Sequence, residues 1–586
     1  MILQALAGYY DRLAGTADSD VAPEGFERKG IPFLIVLGRA GDFIALEDTR
    51  SADGKRKVAR PFLVPRAEKR SSGVAANLLW DNPAYVLGRP KPDAKKDPRK
   101  LAERATEQHA AFIARIEETL PAPATDEGVA AALRFLKGAN FAAVFHDPLW
   151  KEIEETGGNI AFKLDGDDRL VCQRDAVTAA VSERAEDSTG DARQQCLITG
   201  VNDTPARLHS PIKGVWGAQA SGGNIVSFNL PAFASRGKER GYNAPVGAKA
   251  EHAYTTALNT LLARDSQQRM LVGDATAVFW AEKPHPMEKL FADFFGEPPK
   301  GESNQDTGAI RVLYRAPETG TMPLFDDGTK FFVLGLSPNA SRLAVRFWYA
   351  GSVGEVARNI RQHFDDVEIM HSPRDPDHLT LFRLLVSTAM EGKADKMQSN
   401  LAGDVMKSIL SGTPYPRTLL AAAVRRIRAD HGVTYPRAAL IKACLVRDSR
   451  FYKRAQWEVA MSLDPANTNT GYRLGRLFAV LEKIQEEAHP GINATIKDRF
   501  YGAASSTPVT GFFVPMKLKN HHLAKLENRG RAVNLDRLIA EIMEGLDDFP
   551  AHLSLPDQGR FAVGYYHQRQ ALFSRKSATQ EGDTNV

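Results

Sequence analysis

Hydrophobic and polar positions recur with two different periods along the chain, and both are informative about its fold. Two apolar runs, Phe33–Leu37 and Phe43–Leu46, are separated by a short turn bounded by glycines, which is typical of a β-hairpin. A second hairpin is predicted from Phe331–Leu336 and Leu343–Tyr349, because Ser337–Ala340 between them contains turn-forming proline and asparagine. Both predicted hairpins lie before residue 380.

Further elements are predicted between the two hairpins. Helical spacing covers Leu101–Leu120 and a second segment that ends near Lys137. Short apolar runs predict three more strands, at Asn159–Leu164, Leu170–Cys172 and Gln195–Thr199.

After about Leu379 the strand signal almost disappears and helical spacing takes over. The helical segments are Leu401–Leu410, Thr418–Arg428, Ala438–Val446, Tyr472–Glu487, Leu535–Leu546 and Phe561–Phe573. The sequence therefore predicts an α+β protein: a mixed N-terminal region with β-hairpins, followed by a C-terminal helical bundle. We predict a mixed region over residues 1–380, connecting helices over 381–460 and a helical bundle over 461–586.

Composition narrows the class of protein. The 586 residues are 43% hydrophobic and 25% charged, which are ordinary values for a globular protein with more than one core. No apolar stretch approaches the roughly 18 residues of a membrane helix, and no signal peptide is recognisable, so we expect a cytoplasmic protein without a membrane partner. Three widely spaced cysteines, Cys172, Cys196 and Cys444, predict reduced thiols rather than a disulfide framework.

Charge is concentrated in one stretch. Between Arg50 and Arg104 there are 15 lysines and arginines against six aspartates and glutamates, although the whole chain has a net charge of only +5. Such a segment is suited to tracking phosphates, because each neutralised phosphate releases condensed counterions. A solvated surface is the open alternative. Its many prolines and glycines predict that this segment is mostly loop.

A glycine-rich segment, Ala206–Asn229, is a second candidate for binding. Its glycines allow a close backbone approach, and four side chains offer donors for phosphates or base edges: Lys213, Gln219, Ser221 and Asn224. The alternative is a turn system packed on Trp216 and Phe228. The spacing fits neither the Walker nor the dinucleotide fingerprint, so no cofactor is predicted.

A second basic cluster lies in the helical region. From Arg473 to Arg537 there are 11 lysines and arginines against six acidic residues. A groove for single-stranded nucleic acid would combine such cations with aromatic side chains, whereas a solvated face would need none. The candidates are the cations Arg473, Arg476, Lys517 and Lys519 and the aromatics Phe500, Tyr501, Phe512 and Phe513.

One segment has the residue types of a metal site. It contains His363, Asp365, Asp366, His371, Asp375, Asp377 and His378. Pro373 and Pro376 instead indicate an irregular polar connection. A metal-dependent nuclease or phosphohydrolase is therefore the alternative function, and a purely structural scaffold is a third. No G-x-S-x-G nucleophile motif is present.

Several ordered motifs resemble a known family, the large subunit of the type I-C CRISPR interference complex, Cascade. The similarity runs from Met1–Leu6 to Tyr565–Arg569. Its motifs are Arg70–Asn77 (RSSGVAAN) with Leu79–Asn82, the segment Ala206–Asn229, Phe332–Ala340 with Val345–Trp348, Tyr472–Phe478 and Tyr501–Pro508.

This resemblance implies a non-catalytic subunit that recognises the protospacer-adjacent motif (PAM) in duplex DNA and helps to open the duplex. Its implied partners are other Cascade subunits, CRISPR RNA, target double-stranded DNA with its displaced single strand, and a separate helicase-nuclease. Together with residue chemistry, it makes five residues the best candidates for DNA contacts: Lys69, Arg70, Ser71, Ser72 and Asn77. It also implies a small subunit translated from an internal start, for which Met461 is well placed and Met397, Met406 and Met516 are rivals.

Overall fold

The chain forms two compact units in the computed structural model. The structure describes residues 1–15, 21–53, 56–68, 70, 73–93, 97–120, 126–187, 193–295, 328–398, 400–454 and 459–582. One unit comprises Met1–Ser210 and Val226–Thr260, and the other comprises Pro211–Ile225 and Leu261–Val586. Strands and helices mix in the first unit and at the start of the second, and helices dominate afterwards. The predicted α+β class is confirmed.

The first unit contains short strands and helices in alternation. Its strands are β1 (Phe26–Gly30), β2 (Phe33–Leu37), β3 (Phe43–Asp48), β4 (Arg50–Asp53), β5 (Arg56–Ala59), β6 (Pro61–Pro65), β7 (Trp80–Asp81), β8 (Ile160–Leu164), β9 (Gln194–Gln195) and β10 (Asn202–Asp203). Its helices are α1 (Ile2–Ala14), α2 (Pro83–Leu87), α3 (Pro98–Thr119), α4 (Glu127–Gly138), α5 (Ala142–His146), α6 (Trp150–Thr156), α7 (Asp175–Asp187) and α8 (Ala248–Leu261).

A four-stranded sheet in the order β3-β2-β8-β7 forms the core of this unit. Strand β2 pairs antiparallel with β3, as the predicted hairpin requires, and parallel with β8. All five residues of β2 are buried, which explains its continuous apolar run. Phe162 of β8 packs against Phe112 of α3 and Phe135 of α4, with ring centroids 6.4 and 6.3 Å away. The sheet thereby fixes the position of α3.

The basic segment is more regular than predicted. Instead of a long loop it contains β4, β5, β6, β7, α2 and the start of α3. Four of its six prolines mark the ends of elements: Pro61 and Pro65 begin and end β6, while Pro83 and Pro98 occupy first helical positions, where a missing N–H costs nothing. Gly88 ends α2 in the left-handed conformation, with φ of 65°. The prediction of a mostly irregular segment was wrong.

Two predicted strands also differ from the structure. Leu170–Cys172 leads into a 3₁₀ turn at Val171–Gln173 instead of a strand, and all three of its apolar side chains are buried. In the stretch Gln195–Thr199, pairing is confined to a two-residue ladder between β9 and β10. Short apolar runs predict burial more reliably than they predict the type of element.

The second unit begins with strands and continues as helices. Its strands are β11 (Arg269–Val272), β12 (Ala275–Ala281), β13 (Lys330–Asn339) and β14 (Arg342–Ser352). Its helices are α9 (Met287–Phe295), α10 (Val353–Val367), α11 (Leu381–Val386), α12 (Leu401–Ser411), α13 (Arg417–Asp430), α14 (Tyr435–Phe451), α15 (Thr470–Ala488), α16 (Ile496–Ala504), α17 (Pro508–Gly511), α18 (Phe513–Lys525), α19 (Arg529–Met543) and α20 (Leu555–Gly582).

The four strands form an antiparallel meander in chain order. The predicted second hairpin is confirmed by the pairing of β13 with β14, and Ala340 in its turn adopts a positive φ of 52°. Helix α9 packs on one face of the sheet, where the ring of Phe291 lies 4.7 Å from Phe279 and 5.3 Å from Phe331.

The helical bundle is centred on α15 and α20, which approach each other closely. Gly475 of α15 faces the backbone of Phe561, and Gly564 of α20 faces the backbone of Tyr472, so a side chain at either glycine would clash. The long helix α20 also packs against α13 and α14. Residues after 461 therefore share one apolar core with the helices that precede them.

Candidate nucleic-acid interface

The side chain of Arg70 makes its contacts within the first unit. Its guanidinium forms an ion pair with Asp81, with an Nη1–Oδ1 distance of 3.1 Å, and lies 4.1 Å from the ring centre of Tyr85. The Asp81 side chain is 1% exposed, so it depends on this partner. The neighbouring candidates Lys69, Ser71 and Ser72 lie outside the described residues.

Asn77 has a positioning role. The residue is 4% exposed, its side-chain oxygen accepts the backbone N–H of Glu68 at 2.9 Å, and its own N–H donates to Asp81 at 3.0 Å. A buried side chain whose oxygen already accepts a backbone N–H is poorly placed to read a base edge. The burial of Asn77 argues against a direct base contact, and we do not propose one.

Other cations in the first half of the basic segment are also paired internally. Arg50 bonds Asp48 and Glu152, and Lys57 lies 3.0 Å from Glu152. The Arg50 guanidinium lowers the pKa of both carboxyl groups. Arg66 is paired with the buried carboxylate of Glu251 at 2.8 Å. Much of the local positive charge is thus neutralised within the unit.

The start of α3 is different, because it presents cations without carboxylate partners. We call Arg99, Lys100 and Arg104 the α3 basic surface. All three are exposed, and among the residues that the structure describes no carboxylate forms an ion pair with them. Asp97 caps the helix by accepting the N–H of Arg99 at 2.9 Å. Cations in the first turn add to the positive end of the helix dipole, which favours bound anions such as phosphates.

The glycine-rich segment forms an ordered loop in the second unit. Ile212 and Gly223 exchange two backbone hydrogen bonds of 2.8 and 2.9 Å, which close the loop. Of the four predicted donors, Lys213, Gln219 and Ser221 are exposed at its surface. Asn224 is half-buried, and its backbone bonds to Ser341 and Leu343 beside β14.

The loop is not packed on Trp216. Trp216 is 68% exposed, and Val215, at 5%, is buried in its place. The alternative that placed Trp216 in a core was therefore wrong. No local pattern in the sequence indicated this exposure, although the stretch from Thr204 to Lys238 contains no aspartate or glutamate.

The basic candidates in the helical region also include both cations that are bound within the fold and cations that are exposed. Arg476 is 4% exposed and donates to Gln568 at 3.1 Å and to the carbonyl of Pro465 at 3.1 Å, and burial lowers its pKa. Arg473 donates to the carbonyl of Asn467 at 2.7 Å and packs over Gly545. These two arginines stabilise the bundle, so neither is retained as a phosphate contact.

Helix α18 carries the exposed cations of this region. Lys519 is paired with Asp536 at 2.8 Å, whereas Lys517 is exposed. Phe513, Lys517, His521 and Lys525 recur every four residues and are all exposed, so they follow one side of the helix. We call these four residues the α18 stripe. Its Phe513 is 69% exposed, while the predicted aromatics Tyr501 and Phe512 are 2% exposed and Phe500 is partly buried.

The segment proposed as a metal site is not assembled as one. His363 is buried and shares a 2.5 Å hydrogen bond with the hydroxyl of Tyr415, and burial together with the charge of Arg447 lowers its pKa to about 3. Asp366 is paired with Arg447 at 2.9 Å and with Arg450. Within the described ranges, no group of three or more His, Cys, Asp or Glu side chains is arranged to hold a metal ion.

No helix in the described part of the chain has both the length and the apolar character needed to cross a membrane.

Comparison with known families identifies the family of the chain. The chain matches a family model of CRISPR-associated proteins over residues 6–573, almost its whole length. It belongs to the family described as CRISPR-associated protein Cas_Csd1. A search of curated proteins found no match.

Proposed function

We propose that this chain is the non-catalytic large subunit of a type I-C CRISPR RNA-guided surveillance complex. In that complex it recognises the protospacer-adjacent motif in duplex DNA and supports strand separation. The observation that carries the proposal is the family match over residues 6–573. Pairing with the guide reads the target, while the protein reads the short flanking motif and the shape of the backbone.

The α3 basic surface is the proposed grip on the duplex. Arg99, Lys100 and Arg104 are exposed, lie within one and a half turns of each other and have no aromatic neighbour on the same turn. Such a surface gives affinity through phosphates and counterion release, without regard to sequence. It would hold the duplex while another surface reads the motif.

The α18 stripe is the proposed contact for the displaced single strand. Three basic side chains and the exposed ring of Phe513 lie along one side of α18. Single-strand sites combine cations that follow the backbone with aromatic rings that stack on bases. An exposed phenylalanine adds little to duplex binding, because paired bases are already stacked.

The proposed partners are other Cascade subunits, CRISPR RNA, target DNA and a separate helicase-nuclease that cuts the DNA. The alternative, a metal-dependent nuclease, requires ligands that include Asp375 and His378. Incubating the isolated chain and its Asp375→Ala, His378→Ala variant with DNA and Mg²⁺ or Mn²⁺ separates the two functions. We expect no difference between them; cleavage lost in the variant would favour the nuclease.

A separate small subunit that begins at Met461 is also part of the proposal. Met461 is 50% exposed and lies just before α15, and residues 461–586 contain α15 to α20. However, Gly559 of α20 contacts Ile441, Leu420 and Leu445, which precede Met461. A free product would expose this contact surface, so we expect it to be stable only when bound to other subunits. Met461→Ala should abolish the product, detected by intact mass.

The direct test uses the assembled complex and a library of duplex targets that differ only in the flanking motif. Complexes that contain the chain should enrich one motif among the bound targets. Complexes assembled without the chain should bind the targets without motif preference. Equal enrichment in both preparations would contradict the proposal.

A further inference from the structure

Trp216 is presented to solvent by a rigid loop. Its backbone N–H donates to the hydroxyl of Thr276 on β12 at 2.9 Å, and the adjacent Val215 is buried. Gly214 and Gly222 have φ values of 84° and 89° and lie against the backbone of Leu262 and Ile212, where a Cβ would clash. These contacts close the loop, and Trp216 is 68% exposed in it.

An exposed tryptophan held in place in this way is unusual. Among the residues that the structure describes, no aromatic ring or cation stacks on Trp216. The side chains of Trp80, Trp150 and Trp280, by contrast, are between 0% and 7% exposed. Exposed apolar area that the fold fixes in place is typical of a binding site.

The surroundings of the indole indicate the chemistry of its ligand. The exposed neighbours Lys213, Gln219 and Ser221 are cationic or polar, and no acidic residue occurs from Thr204 to Lys238. Gly217 and Ala218, which follow Trp216 in the chain, have no bulky side chain that could cover the ring. A peptide or protein partner would require further exposed apolar side chains in this loop. A flat, polar-edged and negatively charged ligand fits better.

We propose that Trp216 is a stacking platform for an unpaired nucleobase of DNA. The indole face would cover the base, and Lys213, Gln219 and Ser221 would contact its edge or the adjoining phosphates. Base stacking on an aromatic side chain tolerates any sequence, because every base has a π-face. This inference rests on the proposed function, since it assumes that the chain meets opened DNA.

The test uses the full chain, with Trp216→Ala and Trp216→Phe variants. The exposed aromatic Phe382, in α11, provides a matched control as Phe382→Ala; its side chain is 42% exposed. The probes are a single-stranded oligonucleotide of mixed sequence and a blunt duplex of the same sequence. Affinity is measured across a salt series. Quenching of tryptophan fluorescence by acrylamide is measured with and without DNA, and Trp216→Phe identifies the Trp216 signal.

We expect Trp216→Ala to weaken single-strand binding by about 5- to 150-fold, the range for loss of one stacked base. Trp216→Phe should retain most of the affinity, and neither variant should change the slope of affinity against salt, because no phosphate contact is lost. The single strand should protect Trp216 from acrylamide. Phe382→Ala should bind like the unsubstituted chain.

Three results would overturn the inference. One is unchanged single-strand affinity in Trp216→Ala, and another is an indole that stays equally accessible to acrylamide when DNA is bound. The third is a Trp216→Ala defect in binding other subunits with normal DNA affinity, which would make the loop a protein contact. If the unsubstituted chain and its assembled complex show no salt-dependent affinity for DNA, the proposed function fails as well. That outcome is distinct from failure at Trp216 alone.

Discussion

The two basic regions, residues 50–104 and 473–537, both have a surplus of positive charge, +9 in the first and +5 in the second, but they use their cations differently. In each region, cations near the core are bound internally: Arg70 by Asp81 in the first, and Arg476 by Gln568 in the second. The exposed cations of the two regions differ in their surroundings. The α3 basic surface presents cations alone, whereas the α18 stripe adds the exposed ring of Phe513.

This difference shows that a local charge count does not define a binding surface. Cations that are paired or buried stabilise the fold, and cations that are exposed and unpaired are available to phosphates. An aromatic ring among exposed cations shifts the preference from duplex to single strand, since it can stack on an unpaired base. The following predictions test each part of this comparison.

The largest effect is expected for a buried cation. Arg476→Ala should lower the free energy of unfolding by about 2–3 kcal/mol, because it opens a cavity and leaves the side chain of Gln568 without its partner. Lys517→Ala, in the α18 stripe, should change it by less than about 0.5 kcal/mol. Denaturant unfolding of both variants checks this contrast. Equal stability of the two variants would contradict the expectation that buried cations stabilise the fold more than exposed ones.

Arg70→Ala should be the next most destabilising change. It leaves the buried carboxylate of Asp81 unpaired, at a cost of about 1–3 kcal/mol when the partial exposure of Arg70 is considered. Adding Asp81→Asn should restore part of the loss, because the buried charge is removed. Thermal unfolding of the single and double variants checks this. Loss of DNA affinity in Arg70→Ala with unchanged stability would instead assign Arg70 to the interface.

Phe513→Ala should show whether the α18 stripe prefers single-stranded DNA to duplex DNA. We expect single-stranded DNA to bind about 5- to 30-fold more weakly, corresponding to about 1–2 kcal/mol for one stacked base. Duplex affinity should stay the same. Fluorescence anisotropy with labelled single-stranded and duplex probes measures both. A similar loss on both probes would mean that Phe513 supports the helix rather than a base.

Acid should destabilise the second unit through a residue outside both basic regions. The folded pKa of His363 is lowered to about 3, below the usual 6.5, so the unfolded chain binds a proton first as pH falls. Stability is therefore full above pH 6.5 and declines below it, by about 1 kcal/mol between pH 7.5 and 5.5. His363→Asn should reduce this decline, whereas Lys517→Ala should keep it. An identical pH profile in His363→Asn would exclude His363 as the cause.

The sequence predicted much of the fold because hairpins and amphipathic helices leave local patterns. The hairpins β2–β3 and β13–β14 and the helices α12 to α15 followed from period and turn residues alone. The basic segment was misjudged because all its prolines were taken as breaks, whereas Pro61, Pro65, Pro83 and Pro98 lie at the ends of strands and helices.

The candidate site was harder to predict, since it depends on partners distant in the chain. Glu251, which pairs with Arg66, is 185 residues away, and Gln568 is 92 residues from Arg476. Neither pairing has a local signal. Arg476 does lie among Leu474, Leu477 and Phe478, an apolar setting that could have indicated burial. The exposure of Trp216 follows from the closure of its loop, which a residue pattern does not show.

The central claim, that exposed cations at the start of α3 hold duplex DNA, is tested most directly by salt dependence. The assembled complex is prepared with Arg99→Ala, Lys100→Ala and Arg104→Ala together, and its affinity for target duplex is measured from low to high salt. A matched control removes one exposed lysine and two exposed arginines elsewhere, Lys407, Arg425 and Arg428. With about 0.9 released counterions per phosphate contact, the α3 variant should flatten the log–log slope by about 2.7, and the control should leave it unchanged. The same slope in the α3 variant as in the unsubstituted complex would contradict the account.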